Sequence, residues 1–228
     1  MVMPAAGLGT RMGGVRKWRL QILGEPLLLH TLRPFLAHDD VGLILVALHP
    51  DEAKSPPAWL RSLAPRVRCL AGGETRGASV RAGLLALGEE VPPVVAIHDG
   101  ARPLVSAGVL DRCFQEARAG RGAVAGWPSV DTLKEVDREG RILATPDRER
   151  FWRAQTPQAF PGDVVVRAYR NAGSELSTST DDAALVEATG CRVGMVRGDP
   201  WNLKVTHPTD VAVAEALLRL RRSRTGEE

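Results

Sequence analysis

The chain opens with a short apolar stub that runs straight into small residues and glycines, MVMPAAGLGTRMGGVRK over residues 1–17. No helix-forming run separates Arg11 from Lys17. A strand end followed by such a stretch opens into a backbone-lined cradle. The small side chains of Ala5, Ala6, Gly7 and Gly9 let main-chain N–H groups come close to a phosphate chain or a base edge. Arg11 and Lys17 then share the negative charge, so the ligand implied is a nucleoside triphosphate. A Walker loop needs GxxxxGK followed by Ser or Thr, and the chain has none. A dinucleotide fingerprint needs GxGxxG opening directly into a helix, with an acidic residue about 20 positions on. Here Gly13 and Gly14 interrupt the candidate helix, and residues 10–24 lack a clean helical period. An ordinary glycine-rich turn after a first strand is the remaining reading.

Beyond the cradle, strand and helix signals alternate. Residues 1–4 hold only a stub of a strand, either very short or the end of one that began earlier. Residues 26–37 (PLLLHTLRPFLA) predict an amphipathic helix with Pro34 as a kink or boundary. Residues 41–48 (VGLILVAL) predict a strand covered on both faces, 56–63 a short helix and 67–70 a short strand. Residues 71–88 (AGGETRGASVRAGLLALG) repeat the layout of strand, glycine turn and helix start. Gly73 and Ser79 thus belong to a second loop able to grip a ribose or base; a plain connection with Ser79 as helix cap is the alternative. Residues 94–98 (VVAIH) form the next strand and run into Asp99-Gly-Ala-Arg-Pro103. In open parallel sheets ligands sit beyond the carboxyl ends of strands. Asp99 is therefore a candidate for a magnesium ion, its water shell or a sugar hydroxyl, with Arg102 bracing the loop. A structural Asp–Arg pair is the plainer alternative.

Residues 107–119 read as a helix and 122–127 as a strand. After Pro128 come short extended stretches at 131–136, 141–144 and 151–154, separated by charged turns. They carry too little apolar surface for a core of their own, which predicts a β-arm over 128–158 that packs on a partner subunit. The main domain then resumes with a helix at 161–172 and a cap at Thr180-Asp-Asp182 for a helix at 183–189. Strands follow at 193–196 and 202–206. A closing helix over 209–222 ends in arginines that suit its dipole, and residues 223–228 read as frayed.

This pattern gives a single α/β domain over 1–228, with a mostly parallel sheet and helices on both faces. The length of 228 residues, with 44% hydrophobic and 25% charged, supports one such core. A net charge of +3 and 4% aromatics give no basic stacking platform, which argues against nucleic acid as partner. No apolar run approaches a membrane span, so no membrane partner is expected. Cys69, Cys113 and Cys191 have neither CxxC nor metal spacing and read as buried thiols of a cytoplasmic protein. Only Lys17, Lys54, Lys134 and Lys204 are lysines among many arginines, which makes each compact point charge notable.

Taken in order, PAAGLGTRM with Lys17, AGGETRxxSV, HDGARP, DTLK, WRAQTPQ, STDD and NLKVTxPxD resemble the 2-C-methyl-D-erythritol 4-phosphate cytidylyltransferases of the non-mevalonate isoprenoid pathway. The resemblance covers essentially the whole chain. It implies a Rossmann-like nucleotidyltransferase fold and a homodimer that exchanges the β-arm. The implied reaction joins CTP to 2-C-methyl-D-erythritol 4-phosphate, giving 4-diphosphocytidyl-2-C-methyl-D-erythritol and pyrophosphate, with magnesium or another divalent cation. Arg11 and Lys17 would stabilise charge on the triphosphate. Pro4, Ala5, Ala6, Gly7, Gly9, Gly73, Glu74 and Ser79 would surround the nucleotide. Asp99 would lie near the metal. Asp99, Arg102, Thr132, Arg148, Thr156, Thr180 and Lys204 would hold the acceptor, some from the neighbouring subunit, with Arg148 and Lys204 also serving the chemistry. The chain departs from the family pattern at Lys17-Trp-Arg-Leu20, where Gln and an aromatic residue are common after the lysine, and in a shortened loop between Arg11 and Lys17.

Elementary chemistry agrees with that assignment. A substrate phosphate is already a nucleophile at neutral pH, so catalysis reduces to positioning and charge stabilisation, and no Ser–His–Asp array is required. The rival readings are a ribitol-5-phosphate cytidylyltransferase or another sugar or cofactor nucleotidyltransferase. From a different class, a nucleotide-sensing module would keep the cradle without the chemistry.

Overall fold

The computed structural model describes residues 1–9, 13–173, 176 and 181–225. Two residues predicted at the site, Arg11 and Thr180, lie outside the described residues. A seven-stranded sheet organises the chain. Strands β1 (Val2–Pro4), β4 (Ile44–Leu48), β5 (Val67–Ala71) and β6 (Val94–Ile97) of this sheet run parallel to one another. Strands β2 (Gln21–Ile22) and β3 (Glu25–Pro26) form a small hairpin outside it. The remaining strands of the sheet are β7 (Gly122–Pro128), β10 (Trp152–Pro161) and β11 (Val193–Arg197), while β8 (Glu135–Val136) and β9 (Ile142–Ala144) pair apart from it. The order across the sheet is β11-β7-β10-β6-β1-β4-β5, and β10 runs antiparallel to both its neighbours.

Alternation along the strands sends successive side chains into two different cores. Met3, Val46, Ala96, Ala123 and Ala159 face α1 (Leu27–Leu36), α3 (Ala58–Arg61) and α5 (Ala107–Arg118). Their neighbours Val2, Val95, Ile97, Val124 and Phe160 face α4 (Arg76–Leu85), α6 (Gly162–Asn171) and α7 (Asp182–Glu187). Helices therefore cover both faces, as the continuous apolar strands predict. Phe35, Leu28 and Leu32 of α1 are fully buried, and truncating one of the leucines to Ala should destabilise the fold by about 2–5 kcal/mol. A third cluster seats the last helix, α8 (Pro208–Thr225): Ala214 and Leu218 meet Ile22, Leu27, Leu104 and Val205.

Several boundaries differ from the sequence reading. Residues 155–160, expected in part within the arm, are buried in the centre of the main sheet because β10 continues from the arm into it. The part that projects is confined to the segment between Pro128 and Trp152. Residues 202–206 form no strand; they are an irregular loop anchored by side chains. Ser223 and Arg224, expected to fray, lie within α8. A five-residue helix, α2 (Pro50–Lys54), follows β4 where no helix was expected. The cap of α4 is Thr75, whose side chain accepts from the Ala78 N–H, and Ser79 sits one turn inside the helix.

Parallel strands β1, β4 and β5 build outward, and the chain then returns to place β6 on the other side of β1. The loops leaving β1 and β6 consequently diverge at their carboxyl ends, which opens a crevice. The backbone stays stitched across the base of that crevice, since His98 N–H donates to Val2 O at 3.0 Å and Gly100 N–H to Pro4 O at 3.3 Å.

Candidate active site

The crevice is a cleft of about 300 Å³ lined by the whole Pro4–Gly9 loop, by Lys17 and Trp18, and by Arg76, Asp99, Gly100, Ala101 and Lys204. The glycine loop therefore does form one wall, as the sequence predicts for Pro4, Ala5, Ala6, Gly7 and Gly9. Its neighbour is the second glycine loop. A Cβ at Gly72 would stand 2.7 Å from the Ala6 side chain and 2.8 Å from Ser79 Oγ, so only glycine allows the two loops to touch. Gly73 and Glu74 are exposed beside this contact rather than lining the cleft. Ser79 is buried, and its hydroxyl lies 3.2 Å from both Gly73 N and Gly73 O, so it braces the second loop from beneath.

Asp99 is the electrostatic centre. Its carboxylate is 2.9 Å from Arg76 Nε, 2.9 Å from Lys204 Nζ and 3.5 Å from Arg102 Nε. Burial alone would raise its carboxyl, but Arg76, Lys204 and Arg102 together hold it well below the usual carboxylate range. Arg76 also makes a two-pronged bond to Asp182, with both contacts at 2.8 Å, and Tyr169 Oη donates to the same carboxylate. Burial would lower the Arg76 guanidinium, and the carboxylates of Asp182 and Asp99 more than reverse this, so it stays charged. Three cations thus meet two buried carboxylates, Asp99 and Asp182, and Lys17 adds a further positive charge to the lining, which leaves the cleft short of negative charge. Such a site accepts an anionic ligand.

Behind Asp99 stands a buried relay. Asp99 N–H donates to Thr156 Oγ1 at 3.0 Å, Thr156 Oγ1 lies 3.1 Å from His98 Nδ1, and His98 Nε2 is 3.0 Å from Arg102 O. Burial pulls His98 down to about 4, so at neutral pH its Nε2–H donates to the carbonyl and its Nδ1 accepts from the threonine. Thr156, predicted to hold the acceptor, is buried and does not line the cleft. Arg102, predicted in the same role, points its Nη1 to Asn202 O at 2.7 Å and does not line the cleft. It braces the loop.

The turn that carries Lys17 is anchored by the neighbouring tryptophan. Trp18 is buried, its indole N–H donates to Glu52 Oε2 at 3.0 Å, and its ring packs 6.4 Å from that of Trp59. The guanidinium of Arg19 lies over the Trp18 ring at 4.8 Å. Lys17 Nζ donates to Val205 O at 3.3 Å, which sets it beside the loop that carries Lys204. Thr132 and Arg148 lie in the projecting arm and do not line the cleft of their own chain; Arg148 Nη1 donates to Val130 O at 2.8 Å.

Sequence reasoning did not place Arg76, Asp182 or Trp18 at the site. Arg76 stood inside the AGGETR motif and was the available signal. Among the described residues no group of three or more His, Cys, Asp and Glu side chains is placed to hold a metal. Asp99 is the carboxylate in the cleft lining.

A glycine loop at the switch point of a mostly parallel sheet, facing a cluster of lysine and arginine around one aspartate, defines a nucleotidyltransferase of the α/β class. A family model for 2-C-methyl-D-erythritol 4-phosphate cytidylyltransferase matches residues 1–220. A relative of that name from Symbiobacterium thermophilum is 43% identical over 96% of this chain and 92% of its own. The crystal structure of the enzyme of that name from Thermus thermophilus superposes with a TM-score of 0.79 at 37% identity, over 96% of this chain and 98% of that one. The 4-diphosphocytidyl-2C-methyl-D-erythritol synthase of Anaerococcus prevotii superposes with a TM-score of 0.84 at 27% identity, over 96% and 94%. The chain belongs to the 2-C-methyl-D-erythritol 4-phosphate cytidylyltransferase family. It is a CTP-dependent transferase of the methylerythritol phosphate route to isoprenoids.

Proposed function

We propose that CTP lies along the Pro4–Gly9 loop with its triphosphate toward Lys17, and that the acceptor phosphate meets Lys204. An oxygen of the 2-C-methyl-D-erythritol 4-phosphate dianion attacks the α-phosphorus of CTP. The bond from that phosphorus to the bridging oxygen of the β-phosphate breaks, and pyrophosphate leaves in line with the attack. The protein contributes no covalent step. It brings two anions together and distributes cations around them. The observation that carries this reading is the convergence of Lys17, Arg76, Lys204 and Asp99, from four distant segments, on one cleft walled by the glycine loop.

Magnesium belongs to this reading. It commonly takes one or two protein carboxylates and fills its remaining positions with phosphate oxygens and water. The ionised Asp99 of the cleft lining would be the residue to hold the ion. The ion would neutralise charge on the triphosphate.

A homodimer is also part of the proposal. Val130, Val136, Ile142, Leu143 and Phe151 of the arm are exposed apolar side chains, a surface that favours a protein partner. Thr132 and Arg148 would then reach the acceptor in the partner's cleft. A cytoplasmic location is supported by Cys69, Cys113 and Cys191 being thiols rather than disulfides. Among the described residues no helix is long and apolar enough to cross a membrane.

The stereochemical course tests the chemistry. With CTP carrying one sulfur on a chiral α-phosphorus, a single in-line displacement inverts configuration, whereas retention would show a covalent enzyme intermediate. Mixing Lys17→Ala with Arg148→Ala tests the shared site. Partial activity should return in mixed dimers, and none after proven subunit exchange would mean that each chain completes its own site.

A further inference from the structure

Strand β10 carries two glutamines that the reaction does not use. Gln155 is buried, and its Nε2 donates to Asp199 O at 2.8 Å. Its Oε1 accepts from Asp199 N–H at 3.4 Å and from Asn202 Nδ2 at 3.3 Å. A carbonyl only accepts and a backbone N–H only donates, so these partners fix which way the amide faces. Gly198 makes room for it: a Cβ there would stand 2.4 Å from Gln155 Oε1. Asn202 Nδ2 also donates to Thr156 O at 2.8 Å, while the Asn202 backbone carbonyl accepts from Arg102.

These bonds fall on residues 198–207, a stretch between β11 and α8 without regular structure. Lys204 sits two residues after Asn202, its side chain 41% exposed. Neither a strand ladder nor burial of its stem fixes that side chain, so the backbone beneath it, together with the 2.9 Å contact to Asp99, decides where the ammonium stands. Gln155 supplies, through one side chain, the donor and acceptor pair that a neighbouring strand would otherwise offer Asp199. Gln158 does a parallel task on the other side. Its Oε1 accepts from Ala183 N–H at 3.0 Å and its Nε2 donates to Asp181 at 3.3 Å, at the start of the helix whose Asp182 grips Arg76. Between the two glutamines, Thr156 holds the Asp99 backbone. One four-residue segment therefore backs three of the groups that line the cleft.

We infer that Gln155 is a positioning residue for Lys204, clamping the 198–204 loop so that the ammonium meets the acceptor phosphate. The inference rests on the role given to Lys204 above. A displacement of about 1 Å in a positioned group can lower turnover on the order of 10²-fold.

Gln155→Glu keeps the side-chain length and the accepting oxygen but sets a second acceptor against Asp199 O. Its kcat/KM for 2-C-methyl-D-erythritol 4-phosphate should fall about 10–100-fold, with the Kd for CTP changed by less than about twofold. In a Lys204→Ala background the same change should lower kcat/KM by less than about threefold, because contacting groups are not additive. An equal fold-loss in both backgrounds, or no loss in the first, overturns the inference. Should Gln155→Glu fail to fold by circular dichroism, Gln155→Met goes through the same cycle and is judged by the same outcomes. Wild-type kcat/KM in Lys204→Ala alone would instead remove the role of Lys204 itself.

Discussion

Asp99→Asn removes one charge from the middle of the cleft, and the three cations around it are not equally affected. Arg76 keeps its two-pronged bond to Asp182. Lys204 is 41% exposed, so its ammonium can turn into water. Arg102 is left worst placed: its side chain is 12% exposed, and its remaining polar contact is Nη1 to Asn202 O. Removing one partner of a buried ion pair costs about 3–5 kcal/mol. Because two of the three cations have somewhere to go, the lower end applies, about 3 kcal/mol of stability. For a chain of this length that lowers Tm by about 6–12 °C. Urea denaturation at pH 7 measures the loss directly, and calorimetry checks the temperature. The pH dependence follows from the depressed carboxyl. The contribution of Asp99 is fully present above the unfolded carboxylate value near about 4 and is lost as pH falls toward its lower folded value. The gap between wild type and variant should therefore hold from about pH 7 to about pH 5 and shrink in stronger acid. A variant within about 1 kcal/mol of wild type at pH 7, the usual worth of an exposed ion pair, would refute the view of Asp99 as the buried counter-ion of the cleft.

Lys17→Ala should lower kcat by on the order of 10²–10³ with a smaller change in CTP affinity, since its charge matters most as the five-coordinate phosphorus forms. Single-turnover kinetics separates the two effects, and unchanged turnover removes Lys17 from the chemistry. Thr75→Ala takes away the cap of α4 and should destabilise by about 1 kcal/mol in urea titrations. His98, held near 4 by burial, favours the fold in its neutral form. Its unfolded counterpart takes a proton near about pH 6.5, so stability is lost as pH falls from about 6.5 to about 4. The loss reaches up to roughly 3 kcal/mol. His98→Asn should flatten that part of the stability profile; an unchanged slope would assign it to other groups.

The alternation of apolar strands with glycine turns was enough to read the doubly covered sheet and the cradle at its edge. Three kinds of residue escaped that reading. Residues 155–158 read as the end of the β-arm, yet they are buried in β10, where the amides of Gln155 and Gln158 bond outward to the backbone of Asp199 and Ala183. Arg76 stands in the second glycine loop of the sequence, but its role there is set by Asp182, more than a hundred residues away, which grips it. Thr156 carries the right chemistry for a ligand contact but faces backward, into the relay that supports Asp99. In each case the missing information is a long-range hydrogen bond, which leaves no periodic trace in a sequence.

The arm leaves and rejoins the sheet at facing positions: Pro128 lies opposite Trp152, Trp127 opposite Arg153 and Gly126 opposite Ala154. It is thus an outgrowth from the mouth of a hairpin whose two legs, β7 and β10, are neighbours without it. Antiparallel legs in that arrangement can be closed by a two-residue turn. The outgrowth can therefore be lengthened, trimmed or replaced without rethreading the sheet, so the arm and the cradle are free to change independently of each other.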